Sequence, residues 1–577
     1  MHRMKYIYSF LNYLQSGCAM ADLKELLYSS NYLSTYLLRA FVVISIVFHF
    51  SVPTGLSGQI ISAGESGSLY GVWEIEVETD QSSQNPYFDS EFQVIFTRPD
   101  GSEVQVDGFY DGNNLYKARA YCDTTGTWRY RTQSNLPDLN GKQGKFNVIE
   151  SHYPGKLRIH PEDRRQFAYD NGEWFLHIGD TGYRYVVRSE QKWQEYIDEA
   201  AEAGFTKIRT WFAQSRHNVE ALYTEDRAQL NLEYWQEIER RLRYALEKYP
   251  HIIFQLIPYA EDTQELIRYG QDDPMSKFIA RYAQARWSAF PNIHWEVSND
   301  REVIEEKDLS ALTGRKISRW VINKIGEDMS EREPWGTLIT NQQSRFAGYS
   351  FVEEPWSDII TLEDLDEVAG ELVAEYRQKG DDPVVLDEDR YENYRNPAND
   401  RYFYRRYMWS NLLSGGHATY GGLRTYEAYD GGPFRGVQGY FTSNRRGVLS
   451  QGAHDFRYIH LFFKKTGLSL AGMTPDDGIA GGNPHKAKCI HDQENYIIYL
   501  ANPDGDDPRT DNPSNGQPEV QIVLPPAEYS VSWYNPRVGL WEKEERIVLN
   551  SGQSYSPNAP DTRRVIIADW VLFIQRL

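Results

Sequence analysis

The sequence predicts a central β/α barrel of eight strands with an all-β domain on either side. Three observations carry that expectation. Turn-punctuated alternation runs from Val72 to about Val148, apolar runs interleave with helical periodicity from about Ile159 to about Leu468, and alternation returns after about Leu470. A chain of 577 residues also exceeds what one hydrophobic core serves, so several domains are expected.

The elements follow in order. Ala40 to Phe50 (AFVVISIVFHF) is an apolar run preceded by Arg39 and followed by Pro53, Gly55, Ser57 and Gly58. It falls short of the roughly 20 residues that span a bilayer, and its small neighbours Gly55 and Ser57 offer a cleavage site. Residues 1–60 are therefore read as a targeting segment. Export to the periplasm, cell surface or medium is expected, with an uncleaved anchor as the alternative. Over 66–150, VWEIEVE, FQVIFTRPDG, VQVDGFYDG, LYKARAY and TGTWRYRT read as strands, with turns at Pro99-Asp100-Gly101 and Asp111-Gly112. Short strands at this spacing describe a β-sandwich of immunoglobulin size.

Over 155–470, WFLHIGD, FTKIRTWF, IIFQLIPY, NIHWEVSND, GTLITNQ, DIITLED, PVVLDED and HATYGG supply the eight strands that a closed barrel requires. Between the first two, Ser189 is placed to cap a helix whose Trp193, Tyr196, Ile197 and Ala200 share one face and which Gly204 stops. Trp235, Ile238, Leu242 and Ala245 form a second stripe of the same kind. Over 471–577, YIIYLA, VQIVLP, YSVSWYNP and DWVLFI predict a C-terminal β-sandwich. Its loop from Asn502 to Pro518 holds Asp504, Asp506, Asp507 and Asp511, which lack EF-hand spacing and read as a solvated acidic loop.

Composition narrows the function. A formal net charge of -21 with no Lys/Arg-rich cluster excludes nucleic acid as a partner. The 41 Tyr and 15 Trp suit sugar rings, which are apolar on their faces and polar at their edges, and they fill sandwich cores as well. Three cysteines, Cys18, Cys122 and Cys489, are far apart and give neither a disulfide framework nor a metal-ligand spacing. His177, His294 and His417 show no HExxH or other short zinc pattern. No cofactor or metal is expected, and a carbohydrate substrate is the partner the aromatics suggest.

In a β/α barrel the working groups sit past the C-terminal ends of the strands. Acids recur there: Asp180 after the first run, Glu261 after the third, Asp300 after the fourth, Glu363 and Asp364 after the sixth, and Asp387, Glu388, Asp389 and Glu392 after the seventh. Glycoside cleavage needs two carboxyl groups, one to protonate the leaving oxygen and one to attack or to activate water. The fourth and seventh strands face each other across a barrel mouth, so acids on their ends can flank a sugar. Helix N-capping accounts for many acids at loop starts.

GDTGYR (Gly179 to Arg184), WEVSNDR (Trp295 to Arg301), VVLDEDRYE (Val384 to Glu392) and SGGHATYGG (Ser414 to Gly422) resemble apiosidase-like glycoside hydrolases. That family resembles clan A retaining enzymes, with an acid/base on strand four and a nucleophile on strand seven, and the strand-four acid is Asp in a GD-R context. The resemblance implies Asp300 as acid/base, followed by Arg301. The strand-seven motif reads roughly GEPRYE in the family, so DEDRYE from Asp387 places Glu388 on the nucleophile. The leading sandwich is similar to the immunoglobulin-like domain found ahead of such barrels, and SWYNPRVG with DWVLFI resembles their C-terminal domain of the collagen-binding type. Two departures bear on substrate. Asn299 stands where the pattern has Gly, and resembles the Asn of the clan A Asn-Glu pair that bonds the sugar 2-hydroxyl. Asn341 and Gln342 stand where members often carry His.

The acid must hold its proton near neutral pH while its partner stays ionised. Burial near Trp295 and Trp211 and the charge of Glu388 are expected to keep Asp300 protonated, with Arg390 keeping Glu388 charged. A carboxyl separation of about 5 to 5.5 Å, the one expected, gives retention, and about 6.5 to 9.5 Å inversion. Asp180 is expected to orient a sugar hydroxyl or the first loop, and Arg209 to ion-pair across the barrel floor. Tyr183, Trp211, Tyr259, Tyr391 and Tyr420 follow strand ends and are candidates for stacking on sugar or for polarising the nucleophile. The competing readings are a barrel that binds carbohydrate without turnover and a surface adhesin in which the flanking β-domains do the work.

Overall fold

The computed structural model describes residues 60–577 apart from 82, 188–190, 213–221, 261, 346, 365–367, 389–390, 392–400, 422–449, 504–518 and 561–568. The apolar run Ala40 to Phe50, Cys18, Ser189, Glu261, Asp389, Arg390, Glu392 and the acidic loop residues from Asp504 to Asp511 lie outside the described residues.

Eight parallel strands form the central sheet: β1 (Ile178–Asp180), β2 (Lys207–Trp211), β3 (Ile253–Ile257), β4 (Ile293–Glu296), β5 (Ile339–Thr340), β6 (Ile360–Glu363), β7 (Val384–Glu388) and β8 (His417–Tyr420). Their spatial order is 5-4-3-2-1-8-7-6. The seam between β5 and β6 is closed by the parallel bridge Gln342 to Thr361 and by the Asp358 N–H donating to the Ile339 carbonyl at 2.9 Å. All eight expected runs thus become neighbouring strands in sequence order, because each β/α crossover returns the chain beside its predecessor.

The longer helices among the described residues are α1 (Trp193–Ala203), α2 (Leu232–Lys248), α3 (Thr263–Gly270), α4 (Pro274–Trp287), α5 (Arg319–Arg332), α6 (Glu371–Tyr376), α7 (Arg401–Leu413) and α8 (Phe456–Thr466). The stripe Trp193, Tyr196, Ile197 and Ala200 is buried, and α1 ends at Gly204 with φ 89°, a left-handed turn that glycine adopts without a Cβ clash. Pro274 opens α4 behind Asp273, whose carboxylate accepts the Ser276 N–H at 2.9 Å.

The barrel's floor is apolar. The antiparallel pair Leu157–Ile159 and Phe167–Tyr169 packs with Phe175, Ile253, Leu338, Ile359 and Val385. Above it the interior turns polar. Lys207 donates to Asp387, and Gln255 and Thr419 each donate to the same carboxylate at 2.7 Å. Gly179 leaves the room for this layer, since a Cβ there would lie 2.5 Å from Thr419 Oγ1.

Two sheets form the N-terminal sandwich, an antiparallel one of Ile60–Ala63, Val72–Glu78, Phe109–Tyr110 and Leu115–Tyr121 and a second of Ser66–Ser68, Phe92–Thr97, Glu103–Asp107, Gly126–Ser134 and Gln143–Ile149, antiparallel except where Ser66–Ser68 runs parallel to Gln143–Ile149. Buried charge ties it to the barrel: Arg119 pairs with Glu74 at 2.5 Å and with Glu239 of α2 at 2.6 Å, and Arg286 of α4 pairs with Glu239 at 2.6 Å. At the other end, among the described residues, six strands form one antiparallel sheet whose central strands are buried on both faces. Ile497, Tyr499 and Val571 join the barrel core, while Tyr496, Ile498 and Leu500 face the domain's own core with Ile522 and Trp533. Arg405 of α7 clamps it, bonding Asp569 and Asp455 at 2.6 Å each. Among the described residues, no helix is long and apolar enough to cross a membrane.

Candidate active site

The site grows from an irregularity in β7. Pairing with β6 runs Leu362 to Leu386 and then Glu363 to Glu388, so Asp387 is an extra residue. Consecutive strand residues ordinarily face opposite ways, and a bulge re-aims one of them. Here both acids enter the barrel. Asp387 drops into the polar layer beside Lys207, and Glu388 stays at the mouth with its side chain 14% exposed.

Among the described residues, four donors converge on Glu388. Its Oε2 accepts the Tyr183 hydroxyl at 2.8 Å, Arg209 Nη1 at 2.8 Å and Gln342 Nε2 at 3.3 Å, and its Oε1 accepts the Tyr391 hydroxyl at 2.9 Å. Hydrogen bonds to an ionised acceptor are the strong ones, and Arg209 adds full charge to three neutral donors. Arg209 itself is fully buried and held by Glu296, at 2.8 Å from Nε and 2.5 Å from Nη2, and by Gln342 Oε1 at 2.6 Å. Its expected ion pair across the barrel is therefore made at the mouth, not at the floor.

Asp300 follows β4 at φ 53°, in the left-handed region, and Ala260 after β3 sits at φ 35°. The Asn299 N–H donates to the Ala260 carbonyl at 3.2 Å, so the two strained positions brace each other. Arg301 fixes the turn from inside, with Nε on the Asn299 carbonyl at 3.1 Å and Nη1 on Thr263 Oγ1 at 2.7 Å. The Asp300 N–H points at Gln342 Oε1 at 3.3 Å, which makes Gln342 a bridge from Asp300's backbone to Glu388. The Asp300 carboxylate pairs with Arg315, a half-exposed residue just before the strand Lys316–Ser318.

The other expected residues divide. Tyr183 and Asn299 belong to the cluster, for Asn299 Oδ1 shares the one Tyr183 hydroxyl hydrogen with Glu388, at 3.1 Å, and also accepts a bond from Arg209. Trp211 lies flat under Tyr183 with ring centroids 4.1 Å apart, so it supports that hydroxyl from a buried position. Asn341 turns to Ser298, whose hydroxyl donates to its Oδ1 at 2.7 Å. Its neighbour Gln342 is the one that reaches Glu388. Asp180 is buried and accepts the Tyr196 hydroxyl from α1. Tyr259 and Tyr420 are not brought to the cluster: Tyr259 donates to the Ser276 carbonyl of α4 at 2.7 Å, and Tyr420 packs among Phe205, Tyr404 and Phe456. Trp295 faces outward too, donating to Glu333 at 3.1 Å.

Glu296 was not singled out from the sequence, and Gln342 and Glu363 were noted there without a place in the site. Glu296 was readable, since alternation from His294 puts it on the inward face of β4. Gln342 was adjacent to Asn341. Glu363 closes β6 with its side chain 2% exposed and Arg345 Nε on its Oε1 at 3.2 Å. Burial, then the charge of Glu388, push the Glu363 carboxyl up to about 8. Glu388 thus raises Glu363, its strand neighbour. Among the described residues, no group of three His, Cys, Asp or Glu is arranged to hold a metal ion.

The family model for the apiosidase-like catalytic domain matches residues 161–469, and a domain of unknown function, DUF5060, matches 68–135. No curated protein matches the chain. Among solved structures, a Bacteroides vulgatus protein provisionally classed as a glycoside hydrolase superposes with a TM-score of 0.67 at 17% identity, covering 89% of this chain and 100% of that one. A glycoside hydrolase family 5 protein from the same organism gives 0.56 at 15% identity, over 74% of this chain and 95% of that one. At these identities the likeness carries the fold, a barrel with flanking β-domains. The family match spans more than half of the 577 residues, including β1 to β8, Asp300 and Glu388, and with it the chain belongs to the apiosidase-like family of glycoside hydrolases.

Proposed function

We propose that this protein is an exported glycoside hydrolase that cleaves a plant- or algal-type oligosaccharide or polysaccharide with retention, using Glu388 as nucleophile and Asp300 as acid/base. The observation that carries the reading is the convergence of Tyr183, Arg209, Gln342 and Tyr391 on one carboxylate that Gln342 also links to the Asp300 backbone. Export rests on the apolar run Ala40 to Phe50 with its small flanking residues.

In the first step Glu388 attacks the anomeric carbon while Asp300 gives its proton to the glycosidic oxygen. The bond to the leaving group breaks and a glycosyl ester of Glu388 forms. Three donors engage Oε2 and one engages Oε1, so Oε1 is the freer oxygen to attack. The Arg315 guanidinium lies against Asp300, so in this reading the leaving group displaces it and Asp300 takes up a proton from solvent before the proton is passed to the glycosidic oxygen. In the second step the Asp300 carboxylate takes a proton from water, the water oxygen attacks the anomeric carbon, and Glu388 is released. Asn299 Nδ2, which takes no partner among the described residues, offers a donor to the sugar 2-hydroxyl.

The test is a screen of plant and algal oligosaccharides with wild type, Glu388→Gln and Asp300→Asn, with the product anomer followed by proton NMR. Activity that survives Glu388→Gln removes the nucleophile assignment. An initial product of inverted configuration removes the double displacement.

A further inference from the structure

Two carboxyl groups close adjacent strands at this mouth. Glu363 of β6 and Glu388 of β7 are paired in register, on strands about 4.8 Å apart. Glu363 is buried, and its Oε2 has no hydrogen-bond partner among the described residues. An unpartnered buried carboxylate oxygen is costly, and an adjacent anion adds to the cost. Two ionised carboxylates cannot satisfy each other, because neither has a hydrogen to give.

The surrounding charges point the same way. Four carboxyl groups enter the upper barrel, Glu296, Glu363, Asp387 and Glu388. Lys207 is committed to Asp387, and Arg209 is divided between Glu296 and Glu388 with a longer contact to Asp387 at 3.6 Å. Arg345 reaches Glu363 from the rim on one oxygen, with its side chain 32% exposed. The charged groups acting on Glu363 are thus Glu388 from β7, Arg345 after β5, Arg209 from β2 and, more distantly, Arg315. Among the described residues, with Arg315 taken by Asp300, the cations Lys207, Arg209 and Arg345 face these four acids, one short of balance. A second full anion beside Glu388 would compete for Arg209 and repel the charge that has to attack.

We propose that Glu363 is a positioning residue for Glu388, holding one proton for the pair so that a single negative charge stands at the reacting centre. This rests on the assignment of Glu388 as nucleophile. Loss of that proton places a second anion beside Glu388, so activity falls on the alkaline side. The direction of the Glu363 shift, toward about 8, sets the pH range in which this occurs.

Infrared spectroscopy of the full chain tests the proton directly. Wild type is expected to show a carboxylic acid carbonyl band at neutral pH that bleaches with a midpoint near about 8 and is missing from Glu363→Gln. On the glycoside cleaved in the screen, the alkaline limb of kcat/KM is expected to lose its step near 8 in Glu363→Gln and keep only the limb set by the Asp300 proton, while kcat/KM on the neutral side stays within about tenfold of wild type. A purely structural glutamate would leave that step in place. If Glu363→Gln does not fold, the wild-type titration decides alone. A wild type with no carboxylic acid band titrating above neutrality overturns the proposal, as does an alkaline limb unchanged in Glu363→Gln. Activity persisting in Glu388→Gln would remove the nucleophile assignment and leave the infrared result standing, so the two fail separately.

Discussion

Asp387 and Glu388 are consecutive acids on one strand, both turned into the barrel, and their surroundings differ in kind. Asp387 is fully buried among Lys207, Gln255 and Thr419. Although burial works against its charge, Lys207 and then Arg209 hold its carboxyl well below the usual range. Glu388 faces one arginine, two phenols and an amide, and it alone of the pair keeps part of its surface open. The lower acid is closed by a full counter-charge, which suits a strut. The upper one is surrounded by donors that can follow a charge as it is spent and restored, which suits a reacting group.

Substitution separates the two roles. Glu388→Gln should lower kcat on the order of 10³-fold or more while the thermal unfolding curve stays close to wild type. A melting temperature that falls as far as the activity would make Glu388 a structural acid. Asp387→Asn should act in the reverse sense, lowering unfolding stability by about 3 to 5 kcal/mol because Lys207 is left buried without its anion. Denaturant unfolding at several pH values checks it. The Asp387 carboxyl is depressed by folding, so its stabilisation is whole above the unfolded value of about 3.9 and is lost as the pH falls from there. The gap between wild type and Asp387→Asn should therefore be full at neutrality and close in acid.

This contrast also marks what could be read from the residues. The eight strands were legible because each apolar run is short, bounded and followed by helical periodicity; acids past the fourth and seventh runs were legible as a group, and only the family resemblance picked Asp300 and Glu388 out of it. The bulge was not, since an extra residue in a strand leaves no mark on an apolar run that simply ends in two acids. Without it, Asp387 and Glu388 would face opposite sides and only one could enter the barrel. Arg209 was noted as an ion-pairing residue, but its partner Glu296 lay inside a motif read for the acid after it. Strand-end aromatics were the least legible, because alternation decides whether such a ring enters the mouth or goes under a helix, and these strands are too short to fix its phase.

Tyr183→Phe sharpens the picture at the next level of effect. Its hydroxyl bonds Glu388 Oε2 and Asn299 Oδ1 while Trp211 holds the ring flat. A hydrogen bond to a charged group is worth about 1.5 to 3 kcal/mol, so kcat/KM should fall roughly 10- to 150-fold with little change in stability. Steady-state kinetics beside a melting curve checks this, and a loss confined to the melting curve would place Tyr183 with the struts.

Tyr259→Phe carries the smallest effect and tests the boundary of the site from outside. Tyr259 follows β3 as Tyr183 follows β1, yet its hydroxyl donates to the Ser276 carbonyl at 2.7 Å in the first turn of α4. It contributes to packing between barrel and helix. Removing the hydroxyl should cost about 0.5 to 1.5 kcal/mol of stability and leave kcat/KM within about twofold of wild type. If kcat/KM falls by as much as in Tyr183→Phe, then the α4 side of the strand-three loop, where Ala260 bears against Asn299, transmits strain to the Asp300 turn, and the division between strut and reacting group has been drawn too close to the mouth.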